Sequence, residues 1–538
     1  MPLSRQHGKT NGFPWSIAIV VSALLLSTLP FLIAYWSTPP GLQFSGFLLN
    51  VEDANSHLAK MMLGKRGEWL FYLNYSPESH EGAFVNTIWI LLGQLAGALD
   101  LQLVLMWHLA RVAFGLVYLI TVKMVIDFFV ENRSQRLIAL FLAVFGSGLG
   151  WLLLLFGQQI VLNERLIDFW FAEPYSVPLL VGYPHMLLAT ALLFLTFILA
   201  LRALETNTLL PGIAAGFSAV AFVQIHPFGI AVVDITLVAY VLALMLRRQM
   251  AGVRSLILLA PVFVLPLPVF LYDAAVFLFN PEFRAWSEQN LCLSPSPLNY
   301  LLGYGILVPL VVLGARAATK DRNHKSVFLV AWIVVVAGLL YIPFNSQRRF
   351  VEGLVVPIAI LSARGIVDYI WPYLRRQDMG RLVGLSTAII FALTVPSTLI
   401  FVDGLAFQAL RHTSPTYEDV SALEAIQWLG TNTAPNKVVL SAEPTGNLIP
   451  AIAGNTVVLG HWAETIHLQE KKRLVKSFFS ERTNDSERRA ILSRFGVSYV
   501  LYGPNERALG DYDVDHSPLL QPVYENSRYS IYAVTLQR

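Results

Sequence analysis

The sequence predicts a polytopic α-helical membrane protein of about eleven transmembrane helices, followed by a small soluble α/β domain. Three observations lead there. Of the 538 residues, 55% are hydrophobic and 14% charged, where a soluble chain carries roughly 25% charged residues; mean hydropathy is +0.57. Much of the surface therefore faces hydrocarbon. Apolar runs follow one another from residue 15 to residue 403. From Thr416 the composition turns polar, and short strand-like and charged helical stretches alternate.

The same figures exclude other classes. The net charge of +3 is small for this length, and Lys and Arg gather at helix ends, so nothing points to a nucleic acid. Cys292 is the single cysteine, which rules out an intramolecular disulfide and any cysteine-based metal spacing.

The apolar runs fall at 15–37, 101–126, 137–156, 185–203, 209–225, 228–246, 255–275, 298–316, 326–343, 353–371 and 383–403. Those at 209–225 and 228–246 are short and meet at Ile225-His226-Pro227, either as one hairpin or as two spans. The first run follows Arg5 and Lys9 but is longer than a signal-peptide core, and Trp36-Ser37-Thr38-Pro39-Pro40 is a poor cleavage site. It reads as a retained helix, with residues 1–14 in the cytoplasm. The positive-inside rule then assigns five further groups to successive inside loops: Arg133 and Arg136; Arg202; Arg247, Arg248 and Arg254; Arg316, Lys320, Arg322 and Lys325; Arg375, Arg376 and Arg381. The expected division is a transmembrane domain at 15–403, with a first outer loop at 38–100, and a soluble extracytoplasmic α/β domain at 404–538.

In the first outer loop, Phe84 to Leu99 is too short for a span and is expected to lie in the interface, with a second interfacial helix at 53–63. In the C-terminal part, Val420, Leu423, Ile426 and Leu429 recur at helical spacing within Asp419 to Thr431. Lys437 to Ser441, Thr456 to Leu459 and Val497 to Tyr502 read as strands, with helices near 463–479 and 485–495.

Five groups of residues carry possible chemistry. Glu52 and Asp53 follow the outer end of the first helix; a carboxylate there can act as a general base on an acceptor hydroxyl, or simply cap an interfacial helix. Arg348 and Arg349 stand in an outer loop, against the charge rule, and so require an anionic partner. A guanidinium fork fits phosphate; an acid of another outer loop or a lipid headgroup would also serve. His185 and His226 each adjoin a proline and are either substrate contacts, metal ligands or structural groups. Glu78, His80 and Glu81, with Asp168 and Glu173, would make an acidic cluster able to hold a divalent cation if the fold gathers them. Thr445-Gly446-Asn447 either starts a helix able to hold an anion or forms an ordinary strand–helix turn.

The order of parts, with the motifs Asp53-Ala54-Asn55-Ser56-His57-Leu58-Ala59-Lys60-Met61, Tyr183-Pro184-His185, Gln347-Arg348-Arg349-Phe350, Gly446-Asn447-Leu448-Ile449-Pro450 and Gly460-His461-Trp462-Ala463-Glu464, resembles the GT-C superfamily of integral-membrane glycosyltransferases. Within it the sequence is similar to relatives of the protein O-mannosyltransferases and lipid A aminoarabinose transferases, in an uncharacterised bacterial branch. The resemblance covers nearly the whole chain. It implies transfer of a sugar from a polyprenyl-phosphate donor to a glycan, lipid or protein acceptor on the non-cytoplasmic side of the plasma (inner) membrane. It also implies Asp53 as base with Glu52 as second choice, and substrate binding by Arg348, Arg349, His57, Lys60, His185 and Glu173. Family members commonly show Asp-Glu followed by an aromatic; here the order is Glu52-Asp53, and His57 or Ser56 takes the aromatic place. Trp69, Phe71, Tyr72, Trp170 and Tyr175 are the aromatics expected at the sugar. A transporter or flippase of lipid-linked saccharides is the alternative, although the chain lacks the related halves common in transporters.

Overall fold

The computed structural model describes residues 15–161, 163–247, 252–320 and 324–535. The segment 1–14, with Arg5 and Lys9, and the loop cations Arg248 and Arg322 lie outside the described residues.

In hydrocarbon an apolar segment must satisfy its own backbone, so it forms a helix. Among the described residues, six helices are long and apolar enough to cross a membrane alone: Trp15–Trp36, Leu103–Phe129, Pro184–Thr206, Pro227–Leu246, Gln347–Arg376 and Leu382–Ala409. Two bent pairs raise the number to eight if each is one span: Gly252–Val264 with Leu267–Phe279, bent by 44°, and Pro297–Tyr304 with Leu307–Arg316, bent by 84°. Pro266 caps the second helix of the first pair and has no N–H with which to continue the helix before it. The second bend falls at Gly305, whose φ of 49° is left-handed backbone that glycine adopts freely. The apolar run at 137–156 is not one helix: Arg133–Phe145 ends at Gly146, and a short helix Gly150–Leu155 follows. The helix Gln347–Arg376 is the hub of the bundle, with every residue from Phe350 to Ile366 buried.

The first loop is built into the protein. Its helix Val51–Lys65 is buried along most of its length, instead of lying open on an interface as the sequence suggested. It crosses Thr87–Ala98 in backbone contact: a Cβ added at Gly64 would sit 2.0 Å from the Ile90 carbonyl oxygen, and one at Gly93 would sit 1.9 Å from that of Met61. Two glycines facing each other let the helix axes approach as no larger pair could.

The C-terminal part contains a five-stranded sheet in the order Thr456–Val457, Val438–Leu440, Val497–Tyr502, Ser530–Val534, Leu520–Glu525. The first three strands run parallel and the last two join antiparallel. The expected amphipathic helix is Val420–Asn432, capped by Asp419; Leu468–Phe478 and Asp485–Arg494 follow the other two charged stretches. Thr445-Gly446-Asn447 lies inside the helix Glu443–Ile452 and not at its start, because Pro444 occupies the first turn, where a missing N–H costs nothing.

This part is fastened to the first loop. Leu42–Phe44 pairs antiparallel with Tyr417–Asp419. Asn55 donates to the Asn447 side chain at 2.8 Å, and the Tyr75 hydroxyl donates to the Asn447 carbonyl at 2.8 Å. Buried between the two parts, Lys60 meets Glu464 at 2.5 Å, and Ser56 also donates to that carboxylate.

Candidate functional site

A cavity of about 1320 Å³ opens where the helix Val51–Lys65, the turn Gln347–Val351, the helix Leu267–Phe279 and the loop His461–Glu464 converge. Asp53 and Glu52 line it from one side, Arg348 and Arg349 from another, and His57, Lys60, His185 and Glu173 complete the set expected from the sequence.

Asp53 sits in the first turn of its helix, after Asn50 in left-handed backbone (φ 45°, ψ 57°), which asparagine tolerates better than most residues. The Asn50 amide donates to the Tyr183 hydroxyl at 2.5 Å, fixing the turn. Asp53 Oδ1 accepts from His461 Nε2 and from Trp462 Nε1, each at 3.1 Å. His461 Nδ1 in turn receives the backbone N–H groups of Ala463 (3.3 Å) and Glu464 (3.2 Å). An imidazole nitrogen that accepts carries no proton, so the proton of His461 is on Nε2 and points at Asp53. Burial pushes the Asp53 carboxyl up, but the hydrogen bonds from His461 and Trp462 and the charge of Arg349 together outweigh it and hold the group below the usual carboxylate range. Oδ1 is thereby occupied and Oδ2 faces no partner among the described residues. Glu52 is exposed, and its carbonyl, not its carboxylate, accepts from Asn447 at 3.3 Å.

The two arginines differ. Arg348 Nη2 lies 3.6 Å from Glu173, and its guanidinium stacks over Trp170 and Phe171 at 5.0 and 4.8 Å. Arg349 is half-buried, lines the cavity, and forms no side-chain hydrogen bond or ion pair among the described residues; Glu173 and Glu352 act on it only through space. The turn that carries both is a 3-10 helix leading into the buried hub; both side chains line the cavity, but only that of Arg348 is also held by protein groups.

His57 stacks on Trp89 at 4.4 Å, with His185 at 5.1 Å from it and His226 at 6.1 Å from His185. Among the described residues, the Nδ1 atoms of His57 and His185 have no hydrogen-bond partner. Burial first, then the charges of Lys60 and His185, hold the His57 imidazole well below its ordinary range, so it is neutral. His226 is bonded to Glu352 at 3.0 Å.

Other expected residues are elsewhere. Of the five aromatics named for the sugar, Trp170 lines the cavity; Trp69, Phe71, Tyr72 and Tyr175 do not. Phe71 packs in a buried aromatic cluster with Phe283 and Trp286, and Tyr175 bonds the Gly303 carbonyl at 2.6 Å. Glu78 pairs with Lys471 at 2.7 Å, and Asp168 accepts from the Gly150 N–H at 3.1 Å, burial raising its carboxyl to about 6. The expected acidic cluster is therefore dispersed, and among the described residues no three His, Cys, Asp or Glu side chains gather to hold a metal ion. Lys60 is enclosed by Glu464, Ser56 and the Phe71 ring. His461 and Trp462 had been noted only as part of a motif; their contact with Asp53 was not foreseen.

No protein-family model and no curated protein matches the chain. Solved structures do. The oligosaccharyltransferase of Archaeoglobus fulgidus, tethered with an acceptor peptide, superposes with a TM-score of 0.54 at 14% identity, covering 91% of this chain and 69% of that one. ArnT from Cupriavidus metallidurans bound to undecaprenyl phosphate gives 0.50 at 13% identity over 96% and 98%. The mycobacterial arabinofuranosyltransferase AftD gives 0.53 at 15% identity over 100% of this chain and 40% of its own length. The chain has the GT-C fold of multi-pass membrane glycosyltransferases.

Proposed function

We propose that this protein is a glycosyltransferase that moves a sugar from a polyprenyl-phosphate donor to an acceptor hydroxyl on the non-cytoplasmic face of the membrane. The observation that carries this reading is a cavity lined by an oriented carboxylate, Asp53, and by Arg349, whose guanidinium forms no hydrogen bond or ion pair among the described residues. In the reaction the acceptor oxygen attacks the anomeric carbon while the bond from that carbon to the phosphate oxygen breaks. The acceptor proton passes to Asp53 Oδ2, and the leaving phosphate, gaining negative charge, meets Arg349. Arg349 suits this role better than Arg348, which already has Glu173 and two aromatic faces. The free Nδ1 atoms of His57 and His185 accept hydrogen bonds from ligand hydroxyls. Lys60 acts on the site by holding Glu464.

The topology completes the proposal: about eleven crossings, residues 1–14 inside, and the part beyond residue 404 outside with the cavity, as the loop cations argue.

The test uses purified protein in lipid with a panel of radiolabelled polyprenyl-phosphate sugars. Asp53→Asn should lower transfer by about 10²- to 10⁴-fold with donor binding retained, and Arg349→Ala should weaken donor binding. Binding without turnover in wild type, across donors and acceptors, would favour the flippase. Unchanged transfer in Asp53→Asn would remove the mechanism.

A further inference from the structure

The helix Leu267–Phe279 presents one stripe to the cavity. Phe270, Asp273, Ala274 and Phe277 line it, at the i, i+3, i+4, i+7 spacing of a single helix face. Leu271, Tyr272, Leu278 and Phe279, off that stripe, are exposed. Asp273 is only 5% exposed, and among the described residues its Oδ1 has no hydrogen-bond partner. A buried carboxylate without a partner is unfavourable, and a ligand that donates hydrogen bonds to it would relieve that cost.

The surroundings narrow the ligand. A phosphate would be repelled by Asp273 and is matched by Arg349 instead. A metal ion would need further ligating side chains, and among the described residues none gather there. What the stripe offers is a carboxylate between two phenyl rings, with the small Ala274 leaving room. Phenyl faces accept the C–H face of a sugar ring, and a carboxylate accepts from its hydroxyl groups.

We propose that Phe270, Asp273 and Phe277 form the subsite for the sugar of the lipid-linked donor, with Asp273 accepting hydrogen bonds from its hydroxyls. The proposal rests on the glycosyltransferase reading and assigns the sugar and the phosphate of that donor to different walls of the cavity.

The full-length protein in lipid nanodiscs is titrated with undecaprenyl phosphate and with a panel of undecaprenyl-phosphate hexoses and pentoses. Wild type should bind at least one sugar-bearing lipid about tenfold more tightly than the bare lipid phosphate, the size of one hydrogen bond to a charged group. Asp273→Leu should erase that margin and leave the affinity for undecaprenyl phosphate unchanged; Asp273→Asn, which keeps one acceptor oxygen, should retain part of it. The unliganded Asp273→Leu protein should melt no lower than wild type, because it loses a buried polar group that has an unpartnered oxygen. A margin that survives Asp273→Leu, an equal loss for both lipids, or a clear fall in melting temperature overturns the proposal. Wild-type binding of lipid phosphate with no margin for any sugar overturns this subsite and spares the roles of Asp53 and Arg349; no lipid binding at all overturns both.

Discussion

The carboxylate wall and the arginine wall of the cavity are built on opposite plans. Around Asp53 the protein supplies partners: His461 and Trp462 both donate to one oxygen, and the loop that carries them is anchored by Glu464 on Lys60 and Ser56. Around Arg349 it withholds them, although Arg348 beside it is paired with Glu173. A group that must present one lone pair in a fixed direction gains from being over-determined. A group that must receive a charged ligand gains from having nothing to displace. On the proposed reading, the contrast assigns the ligand's charge to the arginine wall, which neither wall would suggest alone.

Three substitutions test the contrast. The largest effect is expected at the anchor. Lys60→Met leaves Glu464 buried without its cation and should cost about 3–5 kcal/mol of stability, read as a fall in melting temperature. Adding Glu464→Leu should restore much of it, since both charges are then gone. If Lys60→Met melts like wild type, the anchor does not hold the loop. Next comes His461→Ala. The base works when ionised, so activity is present above the Asp53 pKa and is lost as pH falls through it. Removing the strongest group that lowers this pKa should move the acid limb of kcat/KM to higher pH and reduce kcat by about tenfold, while His461→Gln, still a donor, should recover part of the shift. An acid limb that stays in place would mean that His461 does not set the charge of Asp53. Smallest is Arg348→Ala, expected to change donor affinity about two- to fivefold, because its guanidinium is already engaged by Glu173 and two aromatic faces, and far less than Arg349→Ala. Equal losses at the two arginines would erase the distinction between them.

What the sequence disclosed depends on the range of the physics involved. Helices with long apolar runs were legible because bilayer thickness imposes a length that needs no partner. Asp53 and the arginine pair were legible as charges at loop positions, yet which arginine is free was not, because adjacent identical residues differ only in the direction the turn gives them. The run at 137–156 was misjudged because Gly146 and Gly148 break a segment that remains apolar. Leu520–Glu525 and Ser530–Val534 were missed as strands; the first contains Pro522 at the sheet edge, where the missing N–H is harmless but the sequence signal is spoiled. His461 was out of reach for a plainer reason: it bonds to a residue 408 positions away, and no local pattern encodes that.

The same separation has a consequence during synthesis. At about 5–20 residues per second, a ribosome that has just made Asp53 needs roughly 20–80 s to reach the histidine 408 residues later. For most of that interval the strand Leu42–Phe44 has no partner, because Tyr417–Asp419 is made late in it, and Lys60 still lacks its counter-ion when it ends. The nascent first loop is thus an unfinished half, exposed to quality-control proteases until the last quarter of the chain arrives. A message truncated before that point would yield a membrane protein with most of its spans and an Asp53 without the hydrogen bonds of His461 and Trp462.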